Sequence, residues 1–218
     1  MKTTLSTMLK ACVFATLLPT AWADGLQRLE HFMHTTQAGQ AQFTQTVTPP
    51  AKQGQPVRTK VSSGAFMFQR PGKFKFVYTQ PFAQTIVADG QQLWLYDEDL
   101  NQVTQRRQAD VLGSTPAALL ASANTTDELR QSFTLQAISE QDMPVAGLQW
   151  MQATPKAADG QIKKVHIGFD GENLAVMDIW DSFGQRSTLH FTQMRTMPSL
   201  PSDTFRFQVP PGADVMQQ

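Results

Sequence analysis

Cysteine is almost missing from this chain. The 218 residues contain one, Cys12, and it lies in a leader-like segment. The remainder therefore has no disulfide, no nucleophilic thiol and no thiolate metal site. It must be held by its core alone, and a chain of this length can bury a sufficient one. A charge excess is missing too, with 18 basic and 18 acidic residues. Without a basic stripe, no nucleic-acid partner is expected, and attraction to anionic lipid surfaces is weak. The sequence contains no G-x-S-x-G elbow, P-loop, H-E-x-x-H or dinucleotide fingerprint. Its four histidines, His31, His34, His166 and His190, are not clustered. His31 and His34 are one helical turn apart but have no evident third ligand, so they read as a solvated edge. The acidic run from Asp97 to Asn101 lacks EF-hand spacing and its glycine, and reads as a turn. No catalytic residue, cofactor or metal is expected.

Long apolar runs are also scarce. Ala11 to Leu18 is too short to span a bilayer. Preceded by Lys2 and Lys10 and followed by Ala21-Trp22-Ala23, it reads as a secretory signal peptide, residues 1–23, cleaved after Ala23. The alternative is an uncleaved N-terminal helix. Lipidation at Cys12 is disfavoured, because Lys10 sits two residues before it and the apolar run follows it. Residues 24–218 fit a single domain.

What the chain does have is a dense aromatic block from Gly64 to Val103. Ala65 to Gln69 is an apolar candidate strand, and Arg70-Pro71-Gly72 is a turn. Phe74, Phe76 and Tyr78 then alternate with Lys73, Lys75 and Thr79, the period-2 pattern of a half-buried strand. Pro81 breaks the strand and Thr85 to Ala88 resumes it. Asp89-Gly90 makes a hairpin turn, and Leu93 to Tyr96 returns. This block can offer a large apolar face.

Around it, Gly25 to Thr35 carries Leu26, Leu29, Phe32 and Met33 at helical spacing. Phe43 to Val47 is a strand, followed by a long polar loop over residues 49–60. Thr115 and Pro116 start a short Ala/Leu helix ending near Asn124; it carries no charge and must lie on something apolar. Thr125 to Glu128 resembles a capping box. Strands are expected at Phe133 to Ile138, Leu148 to Ala153, Lys163 to Phe169, Leu174 to Asp178 and Ser187 to Thr192, with a last one around Phe205 to Val209. His166 and His190 alternate with apolar residues and are expected to face away from the core. Methionines such as Met67, Met151 and Met177 suit surfaces that accept variable apolar groups, or ordinary core filling. About ten strands in consecutive hairpins give a mainly β fold with short helices, its antiparallel sheet curled into a barrel or half-barrel.

Several of these pieces, in order, resemble the outer-membrane lipoprotein carrier protein (LolA) family. They are F-x-Q-T-V at Phe43 to Val47, G-x-F-x-x-x-R-P-G-K-F at Gly64 to Phe74, and Gln84 to Gly90. Leu93 to Asp97, Asn101 to Thr104, Thr115-Pro116, Asp181-x-x-Gly-Gln-Arg186 and Phe205 to Gly212 follow. The resemblance implies a half-open antiparallel β-barrel closed by a helical lid, and a monomer in the periplasm of a Gram-negative bacterium. It implies triacylated lipoproteins as cargo, the inner-membrane ABC transporter LolCDE as donor and the outer-membrane receptor LolB as acceptor. It also implies a latch in which Arg70 bonds the lid backbone at Leu120 and Ala121. With the alternation, it suggests an acyl-chain cavity lined by Phe66, Phe74, Phe76, Trp94, Leu119 and Leu120. Phe76 stands where the family often carries Trp, and the 49–60 loop is longer than usual. Three other readings stay open: a carrier of another lipid, a lipid- or lipoprotein-sensing envelope protein of the same fold, and a periplasmic hydrolase.

Overall fold

Asp24 opens the first helix by accepting a hydrogen bond from the Gln27 amide on its side-chain Oδ1, at 2.9 Å. The computed structural model describes residues 24–51, 54, 56–111, 121, 123–157 and 160–218. The expected leader, Leu119 and Leu120 lie outside the described residues. Helix α1 spans Gly25–Thr35, as the spacing predicts, and buries Leu29, Phe32 and Met33. It can start so close to the sheet only because residue 25 has no side chain. A Cβ there would sit 2.1 Å from the Trp150 carbonyl.

The strands are β1 (Ala38–Thr48), β2 (Lys60–Gln69), β3 (Lys73–Gln80), β4 (Gln84–Asp89), β5 (Gln92–Asp97) and β6 (Gln102–Arg107). The short helices α2 (Gln108–Val111) and α3 (Thr126–Ser132) follow. The remaining strands are β7 (Phe133–Ile138), β8 (Gln149–Pro155), β9 (Ile162–Asp170), β10 (Asn173–Asp181), β11 (Arg186–Met197) and β12 (Asp214–Gln217). At the start of α3 the capping box forms: the Thr125 hydroxyl accepts from the Glu128 amide at 3.2 Å. The Glu128 carboxylate reaches back to the Asn124 amide at 2.7 Å.

Among the described residues, twelve strands form one sheet in the order β12-β6-β5-β4-β3-β2-β1-β11-β10-β9-β8-β7. Neighbours are antiparallel except β12, which runs parallel to β6. The sheet wraps around a core in which residues distant in sequence touch. Phe32 of α1 lies 6.0 Å from Phe68 of β2 and 5.8 Å from Phe169 of β9, ring centre to ring centre. Helix α1 thus fills one end of the curved sheet and ties its two halves together.

The expected strand at Phe205 to Val209 does not form. That segment is irregular, and the last strand is Asp214–Gln217. The alternating phenylalanines are used separately: Phe205 is buried, while Phe207 stacks on Trp94 at 5.8 Å. His166 and His190 do face away from the core, since both share register with Asp178 or Val176 on the far side of β10.

Candidate functional site

Cross-strand register decides which side chains meet inside. Phe66 pairs with Phe76 and Phe76 with Ile86. On the other half, Leu189 pairs with Met177 and Ser187 with Ile179. Strand β1 joins the halves, with Phe43 opposite Phe191 and Gln45 opposite Leu189. Side chains directly opposite share a face, so these all project to one side. They enclose a cavity of about 120 Å³ lined by Phe66, Phe74, Phe76, Tyr78, Ile86, Met177, Ile179, Leu189 and Phe191, with Gln45 and Ser187. Its wall is aromatic: Phe66 lies 4.6 Å from Phe76 and 5.5 Å from Phe191, and Phe43 meets Phe76 edge-on at 5.2 Å.

Of the six residues expected in the cavity, the structure brings Phe66, Phe74 and Phe76 together. Leu119 and Leu120 lie outside the described residues. Trp94 requires a correction, because it pairs with Val87, which pairs with Lys75, on the opposite face of the sheet. Strand β5 reads Leu93-Trp94-Leu95-Tyr96, apolar on both faces, so alternation alone could not orient it. The C-terminal segment gives Trp94 its apolar cover through Phe207. The residues of β10 and β11 that complete the cavity were missed, although Met177/Ile179 and Leu189/Phe191 alternate there.

The polar groups at the cavity form a chain across three strands. The Tyr78 hydroxyl donates to Gln45 Oε1 at 3.0 Å. Gln45 Nε2 donates to the Ser187 hydroxyl at 2.7 Å. Burial pushes the Tyr78 phenol up to about 12, so it stays a neutral hydrogen-bonding group.

The Arg70-Pro71-Gly72 turn sits at the end of the sheet near α1. Arg70 is 5% exposed. Its guanidinium donates to the carbonyl of Thr36, the residue that ends α1. It also lies over the rings of Phe32 (5.1 Å) and Phe68 (5.3 Å). Burial lowers its pKa to about 10, and it remains charged at neutral pH. Two residues on, the Gly72 amide donates to the Ala121 carbonyl at 2.5 Å, and Ala121 is fully buried. The turn therefore touches both α1 and the segment that carries Ala121. Buried Gln108 holds it from behind, donating to the Gly72 carbonyl at 2.6 Å and accepting from the Gly90 amide at 2.9 Å. Glycine fits position 72, where φ is +76°.

Among the described residues, no group of three or more His, Cys, Asp or Glu side chains could hold a metal ion. A single open sheet around an apolar, aromatic cavity defines a binding protein for an apolar group. The chain matches the family model for outer membrane lipoprotein carrier protein LolA over residues 34–208, and it belongs to that family. It is 54% identical over 202 residues to the outer-membrane lipoprotein carrier protein of Albidiferax ferrireducens, covering 91% of this chain and 93% of that one. It is 47% identical over 198 residues to the protein of the same name from Leptothrix cholodnii, covering 91% and 88%. Among solved structures, an uncharacterized conserved protein from Thermus thermophilus superposes with a TM-score of 0.51 at 12% identity, covering 88% and 96%. That likeness concerns the fold alone.

Proposed function

We propose that this protein is a periplasmic lipoprotein chaperone, a carrier and not an enzyme. It accepts lipoproteins released from the inner membrane, shields their acyl chains in the apolar cavity and delivers them to an outer-membrane receptor. In this reading the donor is the ABC transporter LolCDE and the acceptor is LolB. Residues 1–23 are the export signal, removed after Ala23. The observation that carries the reading is the phenylalanine-walled cavity in a chain of this family. Each acyl CH₂ moved from water into apolar surroundings contributes about 0.8 kcal/mol, so a chain of roughly sixteen carbons is held out of water by ~10 kcal/mol or more. Lipoproteins cannot cross an aqueous gap without such a container.

The cavity's size adds a mechanical requirement. At about 120 Å³ it falls well below the roughly 300–1,000 Å³ of a typical ligand pocket. Cargo must enlarge it. Arg70, Ala121 and Leu120 form the latch that cargo opens, with the Arg70–Thr36 and Gly72–Ala121 bonds supporting closure from the turn.

The test is a release assay. Residues 24–218 are incubated with spheroplasts bearing labelled outer-membrane lipoprotein. Label should appear in the supernatant as a soluble complex and pass to the receptor. Arg70→Leu should load but fail to transfer. Transfer at the normal rate by this variant would refute the latch. Absence of any release, with extracted lipid still bound, would move the cargo to another lipid class.

A further inference from the structure

The apolar cavity does not end in apolar residues. Tyr78 and Gln45 of its polar chain also border a second, wider space. A groove of about 700 Å³ is lined by Gln45, Tyr78, Val61, Phe82, Asp99 and Leu100 among others. Gln45 and Tyr78 belong to both spaces and Ser187 to the cavity alone, so the first two mark the boundary and Ser187 sits on its apolar side. On one side are the phenylalanines. On the other the lining is mixed, with charged Asp99 beside Phe82 and Leu100, each 69% exposed. A molecule with an apolar tail and a polar head, seated across this boundary, would place its junction against the three polar side chains.

The chain also has donors to spare. The Tyr78 hydroxyl proton is used on Gln45 Oε1, and one Gln45 N–H is used on Ser187 Oγ. Ser187 accepts there, so its own proton is not consumed, and Gln45 retains a second N–H. Among the described residues neither makes another hydrogen bond. These are two unused donors at an otherwise apolar wall, beside the remaining lone pairs of Gln45 Oε1 and Tyr78 Oη. A donor pair of this kind recognises carbonyl oxygen. An ether oxygen accepts more weakly, and a hydrocarbon gives this half-buried pair no partner.

We propose that Gln45 and Ser187, with Tyr78 fixing the Gln45 amide, form a subsite for the ester carbonyls at the head of a glycerol-linked acyl chain. Tyr78 is the positioning residue: its bond to Oε1 keeps the amide nitrogen turned toward Ser187 and the cavity. This assignment rests on the carrier reading given above and specifies which part of the lipid is read. The phenylalanine wall accepts any chain, and the subsite adds a preference for acylated over alkylated glycerol.

Competition binding tests this directly. The apolar dye ANS is bound to the protein lacking residues 1–23 and displaced by dioctanoylglycerol or by the dioctyl ether of glycerol, which lacks only the two carbonyls. Two neutral hydrogen bonds predict that the ester binds roughly 10- to 100-fold more tightly. Ser187→Ala and Gln45→Met should each bring the ester/ether ratio down roughly 3- to 10-fold. Because the readout is a ratio within one variant, a general loss of affinity does not imitate it. The two substitutions lie on different strands, so misfolding of one leaves the other. Equal binding of ester and ether by the unaltered protein would overturn the subsite, as would a ratio that survives both substitutions. Failure of either lipid to displace the dye would also overturn it. The release assay then reports separately whether the carrier reading stands.

Discussion

Arg70 can be tested for whether it holds position or stability, because the structure sets large opposing contributions against each other. Arg70→Met removes the guanidinium while keeping an unbranched apolar stem. With the guanidinium go its bond to the buried Thr36 carbonyl and its placement over Phe32 and Phe68. A hydrogen bond from a charged donor contributes about 1.5–3 kcal/mol, and a cation over aromatic faces about 0.5–2 kcal/mol. Against this stands the cost of burying the charge. The fall in pKa from 12.5 to about 10 corresponds to roughly 3 kcal/mol, at ~1.4 kcal/mol per unit. These opposing contributions are of the same order. Urea denaturation should therefore show a change of no more than about 2 kcal/mol in global stability. Locally the effect should be much larger. The Arg70 amide donates to Gln37 O at 2.9 Å and the Gly72 amide to Ala121 O, and both amides should exchange with deuterium faster once the turn is detached from α1. Two outcomes would refute the reasoning. One is a loss above about 4 kcal/mol, which would make Arg70 a stability keystone. The other is unchanged exchange at both amides.

Two further predictions concern the far face of the sheet. His166 is held down to about 4, mainly by burial and then by the Lys164 charge. Folded His166 thus stays neutral while the unfolded chain takes a proton below about pH 6.5, so stability is lost as pH falls from about 6.5 to 4. The loss is at most about 3 kcal/mol, and in urea titrations across that window His166→Phe should flatten it; an unchanged slope would contradict this. Asp178 is fully buried, accepting from Arg186 Nε at 2.8 Å and from the Thr188 hydroxyl at 2.8 Å. Asp178→Asn should cost roughly 2 kcal/mol in urea unfolding by weakening the charge-assisted bonds that buried Asp178 accepts, and a cost under about 1 kcal/mol would show the pair behaving as an exposed one.

The aromatic block was legible because its strands alternate and its turns carry their own signals. Phe74, Phe76 and Tyr78 alternate with Lys73, Lys75 and Thr79, and Asp89-Gly90 reverses the chain. Local pattern fails where a partner distant in sequence makes the decision. Trp94 faces outward against the alternation because β5 is apolar on both sides and Phe207 covers the outer one. Phe205 and Phe207 imitate a strand, yet the ladder on β6 is made by the exposed, weakly patterned Asp214–Gln217. The Gln45–Ser187 bond links residues 142 positions apart, and nothing in either neighbourhood announces it. The Gln108 clamp on two turns is similarly silent, since a single glutamine at the end of a strand ordinarily reads as surface.

The two outer strands, β12 and β7, have a consequence for capacity. In a closed barrel, strand number and stagger together fix the radius. Here β12 and β7 end the strand order without pairing to each other, so no such relation holds. The sheet is a leaf spring. Its curvature can relax, each strand rotating slightly on its neighbour, without one ladder bond being broken. The interior volume is therefore set by side-chain packing and not by strand number.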